Sequence, residues 1–253
     1  MNWRLFKTMF VILVPGAAIA MSSVAQATMI TAMKDSADFP AATRYDGADL
    51  LGSDWSTSGS PNGTAEGTLL RFSPASGANW YQWGQSFTHS VGWTIEASYK
   101  ITLAESSGTR VWDIISGDGG PNQENHMYFA SDSISYLMNG TKPSSLLASG
   151  DFTQGFHTMR IAEPAGSGKG DTHVWVDGQL VSDTLVGYNH PGTLRLLVGD
   201  TGSAPLDGEV LIEYVRVDKT GAFAPIPEPS ALVLLGMGLA MIGLRRAARC
   251  RRR

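Results

Sequence analysis

Apolar and polar residues alternate along much of the middle of the chain. In the segment VGWTIEASYKITL, apolar side chains occupy every second position from Trp93 to Leu103. The positions between them are polar or charged: Thr94, Glu96, Ser98, Lys100 and Thr102. A period of two residues is typical of a β-strand with one buried face and one solvated face. This segment is therefore predicted to be a strand.

Further strand-like runs follow, separated by clusters of Gly, Asn, Asp, Ser and Pro. They are RVWDIISGD, HMYFA, SISYLM, FHTMRIAE, TLRLLVGD and GEVLIEYVRVD. THVWVDGQLVS is predicted to be a hairpin, because Asp177 and Gly178 supply the two positive-φ positions of a type I′ turn. Many strands with regular turns and no helical periodicity predict an all-β protein, either an antiparallel sandwich or a closed barrel.

The two ends of the chain have a different character. The N-terminus is typical of a secretory signal helix, with basic MNWRLFK, apolar MFVILVPGAAIAM and an A-x-A site at Ala25 and Ala27. An uncleaved membrane anchor is the alternative, but the apolar run is short and small residues follow it. We therefore expect export through the Sec translocon and cleavage after Ala27.

Near the C-terminus, residues 230–244 carry no charge. As a helix they would span about 22 Å, less than the ~30 Å hydrocarbon core of a bilayer. Six arginines follow and would keep this end in the cytoplasm: Arg245, Arg246, Arg249, Arg251, Arg252 and Arg253. The segment is predicted to be a short transmembrane helix.

Pro227, Glu228 and Pro229 stand just before that segment. The tripeptide, the short Gly-rich apolar helix and the terminal Arg cluster together resemble the PEP-CTERM sorting signal of Gram-negative bacteria. The resemblance implies processing by an exosortase, a membrane cysteine transpeptidase, which would release or reattach the body. Such proteins usually accompany exopolysaccharide export and biofilm. A plain single-span anchor is the alternative, and both the short span and the Pro-Glu-Pro count against it.

These features divide the chain into six predicted parts. They are a signal peptide (1–27), an N-terminal extension (28–43), a β-sandwich (44–221), a linker with the Pro-Glu-Pro motif (222–229), a transmembrane helix (230–244) and a basic cytoplasmic tail (245–253). The expected location is the inner membrane for the anchored precursor, and then the cell surface or the extracellular space.

The body between the two ends is acidic. Residues 28–228 hold all 23 acidic residues and 11 basic ones, which gives a net charge of −12. Such a charge repels nucleic acid and anionic lipid surfaces, so we expect no nucleic-acid partner. The acidic residues either solvate the surface or hold cations. The only cysteine, Cys250, lies in the arginine tail, so the body has no disulfide and no cysteine-based metal site.

The order of the later strands narrows the choice among all-β folds. FHTMRI leads through a Gly-rich loop into the hairpin HVWVDGQLV, and LRLLVGD and the closing strand VLIEYVRV follow. This order resembles the concanavalin A-like, laminin-G-like jelly roll. The resemblance implies a fold that hosts lectins, glycosidases, adhesion modules and plain structural domains, so function has to be argued from a site.

The sequence favours a protein that is not an enzyme, with no catalytic residues. Glycosidases of this fold carry two carboxylates on one strand face in an E-x-D-x-x-E pattern. Here Glu96, Asp113 and Glu213 each lack an acidic neighbour two positions away. A glycoside hydrolase that assembles its carboxylates from separate strands is an alternative. No phosphate loop, H-x-x-x-H pair or G-x-S-x-G motif is present.

Two kinds of binding site can be proposed from residue type. Flat aromatic rings can stack on sugars, and the candidates are Trp83, Trp112, Tyr128 and Trp175. Trp175 is out of phase with Val174 and Val176, and Trp83 lies in ANWYQWGQ beside Trp80 and Tyr81. The alternative for each ring is core packing.

Calcium is the metal that the loops favour, through hard oxygen ligands from Asp118, Asn122, Asp200 and Asp207. Ordinary turn chemistry is the alternative for these four residues. No other cofactor is predicted. The predicted function is an exported, exosortase-processed protein that binds extracellular polysaccharide without catalysis. A structural matrix or adhesion protein with no specific glycan is the alternative.

Overall fold

The computed structural model describes residues 34–35, 42–59, 61–73, 79–88, 90–104, 110–118, 124–138, 141–166, 171–185, 194–200 and 208–225. The predicted signal peptide with Ala25 and Ala27, the Pro-Glu-Pro motif, the predicted transmembrane helix and the basic tail all lie outside these residues. In the part of the chain that is described, no helix is long and apolar enough to span a membrane.

The described chain forms seventeen strands and one short 3₁₀ helix. The strands are β1 (Lys34–Asp35), β2 (Thr43–Asp46), β3 (Trp55–Ser58), β4 (Gly63–Glu66), β5 (Leu69–Phe72), β6 (Asn79–Trp83), β7 (Gly92–Ala104), β8 (Arg110–Asp118), β9 (Glu124–Ala130), β10 (Ser133–Met138), β11 (Thr141–Ser149), β12 (His157–Pro164), β13 (Thr172–Val176), β14 (Gln179–Leu185), β15 (Leu194–Asp200), β16 (Gly208–Asp218) and β17 (Phe223–Ala224). The helix is Gly47–Leu51.

Two antiparallel sheets pack face to face, as the sequence predicted. One is seven-stranded, in the order β11-β10-β9-β8-β15-β6-β3. The other is eight-stranded, in the order β14-β13-β12-β7-β16-β5-β4, with β2 also paired to β16. The all-β prediction is confirmed, and the two open sheets favour the sandwich over the closed barrel.

The alternation in β7 gives the eight-stranded sheet its buried face. Trp93, Ile95 and Tyr99 are all fully buried in the core between the sheets. Leu103 shares their phase but is 57% exposed at the end of the strand. In β16, a register shift beside Ile212 lets both Ile212 and Val215 face the core although they lie three positions apart.

The predicted hairpin between β13 and β14 is present. Asp177 has φ 49° and Gly178 has φ 74°, as a type I′ turn requires. The Asp177 carboxylate also accepts a hydrogen bond from the Thr158 backbone N–H at 2.8 Å and contacts His157 Nδ1 at 2.7 Å. The turn is thus tied to β12, the next strand in the sheet.

The chain after β16 crosses the outer face of the eight-stranded sheet, and we call residues 219–225 the strap. The Thr94 hydroxyl donates to the Gly221 carbonyl and accepts from the Phe223 N–H, both at 2.9 Å. Ala222 and Ala224 are buried in a small cluster with Trp175. The folded part therefore continues through residues 222–224, which the sequence assigned to a linker.

Candidate ligand-binding face

The outer face of the seven-stranded sheet is built around its two central strands, β8 and β15. In β15, Leu196 and Val198 pack in the core, so Leu197 points to the other side, and Gly199 follows it two positions later on the strand. The strand register places Asp113 opposite Gly199 and Ile115 opposite Leu197. These four residues form the centre of the outer face.

One row of paired residues crosses this face and carries two aromatic rings. Tyr128 on β9 pairs with Asp113, Asp113 pairs with Gly199, and Gly199 pairs with Trp80 on β6. We call Tyr128, Asp113, Gly199 and Trp80 the aromatic row. Its two rings are three strand spacings apart, about 14 Å.

Burial is highest in the middle of the face. Asp113 is fully buried, Leu197 is 1% exposed and Ile115 is 3% exposed. Side chains on the flanking strands are half-buried: Tyr128 and His126 on β9, and Trp80 and Gln82 on β6. The face thus has a closed centre between two more exposed sides. We call these eight residues the groove: Asp113, Ile115, Leu197, Gly199, Tyr128, His126, Trp80 and Gln82.

Polar groups accompany both rings. The Arg110 guanidinium carbon lies 4.5 Å from the centre of the Tyr128 ring, and Arg110 Nη1 lies 4.0 Å from Asp113 Oδ2. These contacts hold the guanidinium over the ring. Trp80 Nε1 is buried and has no hydrogen-bond acceptor among the described residues. A buried donor of this kind favours a polar partner.

The outer face of the eight-stranded sheet carries a different polar cluster, centred on Glu96. Glu96 Oε2 accepts from Arg160 Nε at 2.8 Å and Nη2 at 2.6 Å. Its Oε1 accepts from the Tyr214 hydroxyl at 3.0 Å and lies 3.6 Å from Arg216 Nη1. Burial, and then the Glu96 charge, raise the pKa of Tyr214, which keeps the phenol protonated as a donor. These contacts join β7 to β12 and β16, so they are structural.

The four aromatic residues proposed from the sequence lie in three environments. Tyr128 is in the aromatic row. Trp83 and Trp112 are 2% and 0% exposed in the core, so burial corrects the prediction that they present ring faces to a ligand. Trp175 does point away from the core, as its phase predicted, but it is 3% exposed because the strap covers it.

Trp80 was not among the proposed site residues, although the sequence contained a signal for it. Trp80 has the opposite phase from Tyr81 and Trp83 on the same strand. Two of three rings on one side of a strand indicate the core face, so the third points outward. Tyr81 is accordingly buried, and this burial raises its pKa to about 12.

The predicted calcium residues can be placed only in part. Asn122 and Asp207 lie outside the described residues, and only the backbone of Asp118 and Asp200 is described. Asp118 pairs with Leu194 and Asp200 with Asn79, so these two residues lie at opposite ends of β15, about 20 Å apart. They cannot share one ion. Among the described side chains no group of three could hold a metal, and the calcium prediction stays a prediction.

The end of the chain matches a known sorting signal. A model of the PEP-CTERM protein-sorting motif matches residues 225–253. The chain carries this motif. It begins at the last residue of the strap, and it implies export, a membrane-anchored precursor and exosortase processing. The prediction of a PEP-CTERM sorting signal, made from Pro227, Glu228 and Pro229, is confirmed.

Solved structures resemble the sandwich. A carbohydrate esterase from the Shiga toxin-encoding bacteriophage phi24B has a TM-score of 0.53 at 18% identity, over 70% of this chain and 97% of that one. A Trypanosoma rangeli sialidase has a TM-score of 0.50 at 13% identity, over 81% of this chain and 36% of that one. At such identities the likeness shows the fold alone. No curated protein sequence matches the chain.

Replacing Gly199 by alanine tests whether the aromatic row depends on a close approach of two strands. Gly199 has φ +143°, and an added Cβ would lie 2.6 Å from the Asn79 carbonyl oxygen. We expect Gly199→Ala to lower the free energy of unfolding by about 1–3 kcal/mol, measured by urea titration. Gly67→Ala is the matched control, because Gly67 also has positive φ (+66°) but open space around it. Equal losses in both variants would contradict the close approach.

Proposed function

We propose that this protein is an exported, exosortase-processed sandwich that binds extracellular polysaccharide without catalysis. The observation that carries the proposal is the aromatic row, in which two half-buried rings flank a buried carboxylate and a glycine on one sheet face. The sorting motif supports export. The final location that we propose is the cell surface or the extracellular matrix, in company with exopolysaccharide and biofilm.

Two rings on one sheet face suit a linear polymer. Each ring can stack on the apolar face of a sugar, while neighbouring polar groups fix its orientation. A separation of about 14 Å is longer than one sugar, so both rings can engage only a chain of several sugars. The Arg110 guanidinium beside the Tyr128 ring is a donor for hydroxyl or ring oxygens in this proposal.

The groove as described does not favour hydrolysis. A glycosidase needs two carboxylates about 5–9 Å apart. Among the eight groove residues, only Asp113 has a carboxylate, and it is fully buried. Glu96 and Glu213 lie on the other sheet, where Glu96 is bound by arginines and Glu213 accepts from Ser98 Oγ at 2.6 Å. We therefore keep the glycoside hydrolase as the less favoured interpretation.

The test is retention of the purified protein on a panel of immobilised polysaccharides, with an assay for released sugar. We expect saturable retention without release, and an at least tenfold loss of affinity in Trp80→Ala and in Tyr128→Ala, as for an interface ring that contributes more than about 1 kcal/mol. Phe156→Ala is the control, because Phe156 is 43% exposed just before β12 and outside the groove.

Each other outcome identifies a different function. Released sugar would support the glycoside hydrolase. No retention on any polymer would overturn the proposal and support a structural matrix or adhesion protein. If Phe156→Ala weakens retention as much as Trp80→Ala does, the polysaccharide binds outside the groove. A parallel run with chelator tests calcium, since loss of retention would indicate an ion in or near the site.

A further inference from the structure

The strap is held by a specific buried contact. Thr94 is fully buried, and its single hydroxyl both donates to Gly221 and accepts from Phe223. Phe223 itself is 2% exposed. A strap bonded and buried in this way is part of the folded body, because releasing it would break both hydrogen bonds and expose the buried side chains of Ala222, Phe223 and Ala224 to water.

The outer side of the sheet is shaped to receive the strap. Ala162, which pairs with Thr94 across β12 and β7, and Trp175 form one buried cluster with Ala222 and Ala224. The small side chains let the strap lie close to the Trp175 ring. This explains why a tryptophan on the outer side of the sheet is 3% exposed.

Both ends of the described chain meet at this place. β1 pairs in parallel with β17, with Lys34 opposite Phe223 and Asp35 opposite Ala224. The matched sorting motif starts at residue 225, directly after β17. The sequence that follows has proline at Pro225, Pro227 and Pro229, a composition typical of short, semi-rigid spacers.

We propose that the strap sets the orientation of the body on the membrane that holds its precursor. The chain leaves the sandwich from the outer face of the eight-stranded sheet, so that sheet is turned toward the bilayer. The seven-stranded face with the groove is on the opposite side, one sheet spacing of about 10 Å plus side chains further out. The precursor thus presents the groove away from the membrane surface. This inference does not depend on what the groove binds.

The test measures the distance of each sheet from the bilayer in the full-length precursor. Cys250→Ser removes the only cysteine, and Thr64→Cys or Ser56→Cys then adds one label site. Both positions are exposed, with Thr64 on the outer face of the eight-stranded sheet and Ser56 on that of the seven-stranded sheet. With the precursor in liposomes that contain acceptor-labelled lipid, we expect stronger energy transfer from the Thr64→Cys label. Equal or reversed transfer would overturn the proposal.

Variants that loosen the strap show whether the strap causes this orientation of the body. Thr94→Val keeps the shape but removes the hydroxyl, and Thr94→Ser keeps the hydroxyl. In Thr94→Val we expect hydrogen exchange at the Phe223 amide to rise at least tenfold, and the difference in energy transfer between the two labels to disappear. In Thr94→Ser we expect the amide to stay protected and that difference to persist. If Thr94→Val fails to fold, Ala222→Arg should displace the strap from Trp175 with the same result. A label difference that survives faster exchange would show that the strap does not orient the body.

Discussion

Replacing Trp112 by alanine should lower the free energy of unfolding by about 3–5 kcal/mol, the usual cost of removing a fully buried tryptophan. The ring is 0% exposed, stacks on Phe129 with centroids 4.4 Å apart and meets Tyr99 at 4.9 Å. These contacts join β8 and β9 of one sheet to β7 of the other. Urea unfolding of the purified protein measures the loss, and a fall in melting temperature of about 10 °C should accompany it.

Trp112→Phe separates ring packing from the indole nitrogen. Trp112 Nε1 is buried without a hydrogen-bond acceptor among the described residues, so its removal costs no hydrogen bond that the described part contains. We expect Trp112→Phe to lose less than half of the stability that Trp112→Ala loses. The opposite pattern, full stability with loss of polysaccharide retention, would support the ligand-binding role that the sequence suggested for Trp112.

The strands could be predicted because their signals are local. The alternation in β7 and the Asp177-Gly178 turn depend on neighbours a few positions away, and the structure has both. Phase within β6 also carries information, since Trp80 points to the opposite side from Tyr81 and Trp83. Phase shows which residues share a face, but it does not show which distant segments will cover that face.

Contacts between distant segments were out of reach of these patterns. A register shift between Arg110 and Trp112 interrupts the alternation in β8, so Val111 and Trp112 are both buried. Trp175 is on the predicted side of its strand, but the strap comes from residues more than forty positions later. Glu96 occupies a polar position of β7 and is nevertheless 7% exposed, because arginines from β12 and β16 lie over it.

The Glu96 cluster leads to the second large expected effect. Glu96→Ala should lower the free energy of unfolding by about 3–5 kcal/mol, because it removes the carboxylate that two arginines share. Arg160 is 4% exposed and loses both of its hydrogen bonds to Glu96. The Tyr214 hydroxyl also loses its acceptor. Chemical unfolding of Glu96→Ala beside the unsubstituted protein measures the loss.

A double-mutant cycle distinguishes the loss of the Glu96–Arg160 ion pair from lost packing. Arg160→Met keeps much of the side-chain volume and removes the charge. If the cost of Glu96→Ala comes from leaving Arg160 buried without its carboxylate, adding Arg160→Met should recover part of the loss, with a coupling energy of about 1–3 kcal/mol. Glu66→Ala is the surface control, because Glu66 forms an exposed ion pair with Arg71, and this substitution should cost far less stability than Glu96→Ala. Strictly additive effects of Glu96→Ala and Arg160→Met would show that the two charges do not stabilise one another, and the loss would then be one of packing alone.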